Sequence, residues 1–225
     1  RRCGKSYLLN PLFKNYLLEN GVSEENIISL ELDKTKDIKY RNPLELTEYV
    51  IRTVKGKAEQ YYLFVDEIQM SDEVPNPYNK DGKPITFYDA LNDLRSISNL
   101  DIYVTGSNSK MLSKDVITEF RGRGDQIHIY PLSFKEFYDS SNLSFEDAYL
   151  EYQYYGGMPY LINLNSDERK QEYLKQLFSE IYIKDITERN GIKDIESFEK
   201  LLCVLSSSIG SYTNPTNLEK TFKSV

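Results

Sequence analysis

Between Ser6 and Asn20 the apolar residues Leu8, Leu9, Leu12, Phe13, Tyr16 and Leu17 recur every three or four positions, and Gly21 follows. That spacing predicts a helix, with Pro11 in its second turn. Asn26–Asp33 alternates and is β-branched at its start, which predicts a strand. Pro43 opens a second helical pattern through Leu46, Val50, Ile51 and Val54 that stops near Gly56. Tyr61–Val65 is a continuous apolar run ending in Asp66 and Glu67, as expected of a strand buried on both faces. The stretch 71–84 holds three prolines and Asp81-Gly82, so it reads as a loop or short hairpin.

Helical spacing resumes over Phe87–Ile97, with Leu91 and Leu94 facing inward. Asp101–Thr105 reads as a strand ending at Gly106-Ser107-Asn108, Lys110–Phe120 as a helix, and Ile127–Tyr130 as a last short strand. Strands alternating with helical segments predict an α/β fold: a parallel sheet with flanking helices, spanning residues 1–131. After Pro131 the strand signals cease. Phe134–Tyr138, Phe145–Tyr155, Lys170–Glu188, Ile195–Ser207 and Leu218–Val225 all read as helices, so 132–225 forms a second, all-helical part.

Composition narrows the class. The 225 residues are 40% hydrophobic and 28% charged, with 11 Gly and 8 Pro, the profile of a globular chain. The longest apolar runs fall far short of the roughly 18 residues a membrane span needs, so no membrane is expected as a partner. Cys3 and Cys203 supply neither a disulfide framework nor metal-ligand spacing, which fits a reducing compartment, with the cytoplasm as the expectation. Net charge is −7. Residues 132–225 carry 10 basic and 15 acidic side chains, which disfavours a broad phosphate-binding surface there.

Chemistry concentrates in four places. Gly4-Lys5-Ser6, directly before a helical pattern, matches the tail of the phosphate-binding pattern G-x-x-x-x-G-K-[ST]. In such a loop glycine admits the phosphates to backbone N–H groups, Lys5 reaches the β- and γ-phosphates, and Ser6 offers its hydroxyl to Mg²⁺. The run Gly4, Lys5, Ser6, Tyr7 is the candidate nucleotide-binding segment. The first glycine of the pattern and a preceding strand would lie before Arg1, so the sequence reads as beginning inside the loop.

At the end of the second predicted strand, Asp66 is the candidate metal ligand and Glu67 the candidate base for an attacking water. A solubilising role at a strand end is the alternative. Ser107 and Asn108, at the end of the next strand, are candidate γ-phosphate sensors, or else a helix cap. In Phe120-Arg-Gly-Arg-Gly124, Arg123 and then Arg121 are candidates to stabilise a transferring phosphoryl group, a contribution of about 10³ to 10⁵ in rate. Either could instead pair with an acid such as Glu119. His128 reads as a structural residue in a short strand, and the Tyr149, Tyr152, Tyr154, Tyr155 cluster as helix-packing surface rather than a base-stacking platform.

These segments occur in order with Tyr130-Pro-Leu-Ser-Phe-Lys-Glu-Phe137 and Tyr155-Gly-Gly-Met-Pro-Tyr160. Together they resemble the prokaryotic AAA+-type P-loop ATPases that carry a C-terminal domain of unknown function. The resemblance implies a P-loop NTPase sheet, here with its first strand missing, followed by a helical lid and the start of a winged-helix segment. It further implies binding of ATP with Mg²⁺, with a second copy engaged through an arginine finger and DNA at the winged helix as candidate partners. Two functions are therefore expected: ATP hydrolysis driving movement of a C-terminal domain, or a non-hydrolysing nucleotide switch on a DNA-binding module. A phosphotransferase acting on a metabolite is a third reading, disfavoured because Asp66-Glu67 suits activation of water.

Overall fold

The computed structural model describes residues 2–79, 82–106, 124–183, 186, 187, 190–212, 214, 216 and 219. The predicted helix at 110–120 lies outside the described residues, as does the one at 218–225 apart from Glu219. The chain divides into two compact units that meet in sequence at Pro131 and Leu132.

In the first unit, β1 (Ile27–Glu31), β2 (Tyr61–Asp66) and β3 (Leu100–Val104) form a parallel sheet in the order β1-β2-β3. The strand β2 is central, which explains its unbroken apolar run: Tyr61, Leu63, Phe64 and Val65 are all buried. Alternation along the strands sorts the residues into two faces. Leu63 and Val65 face a cluster containing Ile28, Leu30, Leu100 and the helices α3 (Pro43–Val54) and α4 (Phe87–Leu94). Phe64 faces the opposite side, against Leu9, Leu17 and Ile27, with Phe13 and Tyr103 packed on it.

Local signals set the helix limits. Asn42 caps α3, its side chain accepting from the Leu44 amide at 2.9 Å, with Pro43 in the first turn. Thr86 and Asp89 form a capping box at the start of α4. An antiparallel bridge between Val74 and Ile85 closes the 71–84 region.

Two expectations are corrected. The helix predicted over Ser6–Asn20 is broken: α1 (Lys5–Tyr7) runs into a π-helical turn, Leu8–Phe13, before α2 (Lys14–Glu19). Asn10 leaves the helical region at φ −143°, ψ 110° because the following Pro11 ring excludes helical conformations from its predecessor. The strand predicted over Ile127–Tyr130 does not form either. Ile127 and Tyr130 are 76% and 74% exposed, and the run pairs with neither sheet edge among the described residues. A strand exists only through its ladder partner, so alternation over four residues cannot create one. His128 accordingly sits on exposed irregular chain.

Among the described residues the second unit has helices and no strand: α5 (Phe134–Ser140), α6 (Phe145–Tyr155), α7 (Asp167–Gln176) and α8 (Ile195–Ser207), with a 3₁₀ turn at Pro159–Asn163 and a π-helical turn at Leu177–Ile183. Phe134 packs edge-on to Phe145, Tyr149 and Tyr152, and the Tyr152 hydroxyl donates to the Leu132 carbonyl at 2.8 Å. Tyr155 packs on Met158, Leu161 and Leu177, so three of the four tyrosines of the cluster are packing surface and Tyr154 is exposed. Lys170, 7% exposed, binds Glu151 at 2.5 Å and ties α7 to α6.

Candidate nucleotide site

The period of the strands brings the candidate site together. Residues Ser29 and Glu31 of β1 and Phe64 and Asp66 of β2 lie on one face of the sheet, and the segment after Gly4 covers that face. A cleft of about 40 Å³ opens there, lined by Ser6, Leu9, Asn10, Ser29, Glu31, Phe64 and Asp66. Ser6 and Asp66, sixty positions apart in sequence, share this cleft because Leu9 and Phe13 dock the intervening chain onto Phe64.

Gly4 precedes α1 in the left-handed conformation, φ 88° and ψ 13°, and its carbonyl accepts from the Leu8 amide at 2.8 Å. Only glycine adopts this conformation without a steric penalty, so the turn into Lys5 and Ser6 depends on it. Lys5 is half-buried; Ser6 and Tyr7 are exposed. Gly4, Lys5, Tyr7 and Glu67 fall outside the cleft lining.

At the carboxyl edge of the sheet, Asp66 ends β2 and is half-buried. Its carboxylate accepts a hydrogen bond from the Thr105 hydroxyl, and its carbonyl accepts from the Leu32 amide at 3.1 Å. Glu67 adopts the left-handed region, φ 57° and ψ 49°, uncommon for a residue with a side chain. The chain therefore turns sharply off the strand, and the Gln69 side-chain amide donates to the Glu67 carboxylate. Next to Asp66 in the sheet register, Glu31 receives Lys36 at 3.0 Å; this hydrogen bond and charge raise the Lys36 pKa above its usual value.

Sequence reading did not single out Glu31, Thr105, Gln69, Asn10 or Ser29. Glu31 lies inside the predicted strand Asn26–Asp33; only the observed β1, which stops at Glu31, puts it at a strand end as Asp66 is. The candidates Ser107, Asn108, Arg121 and Arg123 lie outside the described residues.

The oxygen-bearing side chains that line the cleft are the hydroxyls of Ser6 and Ser29, the Asn10 amide and the carboxylates of Asp66 and Glu31. All are hard oxygen ligands of the kind Mg²⁺ takes, and a few-ligand site matches its habit of retaining water. No group of three or more His, Cys, Asp or Glu side chains gathered as a metal site occurs among the described residues.

The family model described as AAA domain matches residues 1–138, more than half of the chain. The chain belongs to the AAA domain family. A second model, a domain of unknown function (DUF8612), matches residues 146–224, within the helical unit. Among curated proteins, this AAA-domain chain is 30% identical over its whole length to an uncharacterized protein of Haemophilus influenzae, covering 54% of that protein. It is also 30% identical, over 98% of its length, to an uncharacterized protein of Methanocaldococcus jannaschii, covering 47% of it. The chain thus spans about half the length of the curated relatives it matches. No solved structure matches it. Among the described residues, no helix is long and apolar enough to cross a membrane.

Proposed function

We propose that this AAA-domain chain binds ATP with Mg²⁺ and hydrolyses the γ-phosphate, with the cycle moving the parts that follow the sheet unit. The observation that carries this reading is the shared cleft of Ser6 and Asp66 at the carboxyl edge of a parallel sheet, in a chain of this family. Ligands of open parallel sheets bind at that edge. At about 40 Å³ the cleft suits a few waters or a solvated ion, so the nucleotide lies over it rather than inside it.

Each residue has a role in this reading. The Gly4 turn presents backbone N–H groups to the phosphates, and Lys5 places its ammonium against the β- and γ-oxygens. Ser6 and Asp66 hold Mg²⁺, which supplies neutralisation of charge on the phosphate oxygens. Glu67 accepts a proton from the water that attacks γ-phosphorus, and the Gln69 amide keeps its carboxylate oriented. Ser107 and Asn108 sense the γ-phosphate, and Arg123, with Arg121 second, stabilises the charge of the transferring group. The helical unit after Pro131 acts as the lid that this cycle moves, leading into a winged-helix segment.

Phosphate release by the purified protein, with Lys5→Ala and Glu67→Gln alongside, tests the proposal. Lys5→Ala is expected to lose nucleotide binding, and Glu67→Gln to keep binding while hydrolysis falls by about 10² or more. Hydrolysis by Glu67→Gln at the wild-type rate would remove Glu67 from its role. Phosphate transferred to an added metabolite, in place of free phosphate, would make the protein a phosphotransferase.

A further inference from the structure

Residue 105 grips the Asp66 turn three times. Its amide donates to the Val65 carbonyl at 2.9 Å, its carbonyl accepts from the Ile68 amide at 3.0 Å, and its hydroxyl donates to Asp66 Oδ1. The first two bonds need only a backbone and continue the β2–β3 ladder past Val65 and Val104, which are register partners. The third needs a hydroxyl. Thr105 is the position beyond Val104, so alternation puts its side chain on the Tyr103 face of the sheet, the same face as Phe64 and Asp66.

We propose that Thr105 is a positioning residue for Asp66, an inference that rests on the nucleotide-binding reading above. A free aspartate at a strand end rotates about two side-chain torsions. Engaging Oδ1 with the Thr105 donor restricts both, and leaves Oδ2 as the oxygen for a ligand in the cleft that Asp66 lines with Ser6. The β-branched side chain of Thr105 is itself stiff at its first torsion, so the donor position is well defined. Thr105 is joined by its peptide bond to Gly106, and so to Ser107 and Asn108 in sequence, while its hydroxyl is hydrogen-bonded to the carboxylate it orients.

The test separates the hydroxyl from the backbone. Thr105→Val keeps both backbone bonds and the branched shape but has no donor; Thr105→Ser restores the donor. Binding of a fluorescent ATP analogue is measured against Mg²⁺ concentration and again in EDTA, with folding checked by circular dichroism. Thr105→Val is expected to need about tenfold more Mg²⁺ for half-maximal binding, as loss of a hydrogen bond to a charged group implies. Its affinity in EDTA stays within twofold of wild type, and Thr105→Ser behaves as wild type. Equal Mg²⁺ dependence in Thr105→Val and wild type overturns the positioning role, as does an equal loss of affinity with and without Mg²⁺. If Thr105→Val does not fold, Thr105→Ala is read by the same criteria. Wild-type protein that binds no nucleotide at any Mg²⁺ concentration overturns the nucleotide reading itself, and this inference with it.

Discussion

The amide of Leu132 donates to the carbonyl of Gly157 at 2.7 Å, and a Cβ built on Gly157 would stand 2.0 Å from the Leu132 carbonyl oxygen. That oxygen is already held by the Tyr152 hydroxyl. Gly157, just past the end of α6, therefore meets Leu132 backbone to backbone, beside the Tyr152 side chain.

Gly157→Ala forces backbone apart, because the obstructing atom is a carbonyl oxygen and not a flexible side chain. The expected loss is about 1 to 3 kcal/mol, the range of overpacking. Gly156→Ala is expected to destabilise by a similar amount for a different reason: nothing lies within 4 Å, but φ 75°, ψ −170° is open to glycine almost alone. Urea unfolding of both variants checks this, with the double variant losing more than either.

Phe64→Ala is expected to cost about 3 to 5 kcal/mol. Its ring is 1% exposed and meets Phe13 at 5.6 Å and Tyr103 at 5.7 Å between centroids. Since those contacts also dock the segment that carries Lys5 and Ser6, nucleotide affinity should fall along with the unfolding midpoint. A conservative Phe64→Leu should retain most of both.

Glu136 closes a capping box with Ser133, accepting from the Ser133 amide at 2.8 Å and its hydroxyl at 2.7 Å. Those bonds favour the carboxylate and lower its pKa below the usual glutamate value. A lowered folded-state pKa means the contribution is complete above the unfolded value and is lost as pH falls through the folded one. Melting curves from pH 6 to pH 3 should therefore show wild type losing an advantage over Glu136→Gln on acidification. A constant difference across that range would contradict the assignment.

Glu151→Ala is expected to cost on the order of 3 kcal/mol, because it leaves the nearly buried Lys170 ammonium without its partner. Lys170→Met combined with Glu151→Leu should recover most of that loss. A double-mutant cycle read by urea unfolding gives the coupling between them.

Much of the architecture was legible from side-chain order. The period of Leu46, Val50 and Val54, capped by Asn42-Pro43, marked α3, and the apolar run Tyr61–Val65 marked a central strand. Both are local signals that tertiary packing reinforced. Pro11 is equally visible in the sequence, but the apolar spacing continues across it while the helical backbone at Asn10 cannot. At Ile127–Tyr130 the local pattern has no tertiary counterpart among the described residues. The alternation is present, but pairing depends on an edge that the run itself does not encode.

The candidate site divides in the same way. Sequence alone determined which groups could do chemistry, Lys5, Ser6, Asp66 and Glu67, because residue type and position at element ends are local properties. Only the tertiary structure decided their surroundings: Glu31 in register with Asp66, the Thr105 hydroxyl on its carboxylate, and Ser6 across the cleft. The physical reason is that strand pairing sets distances between residues far apart in the chain. A two-residue period says which face a side chain occupies; the register of one strand on another says what it meets there.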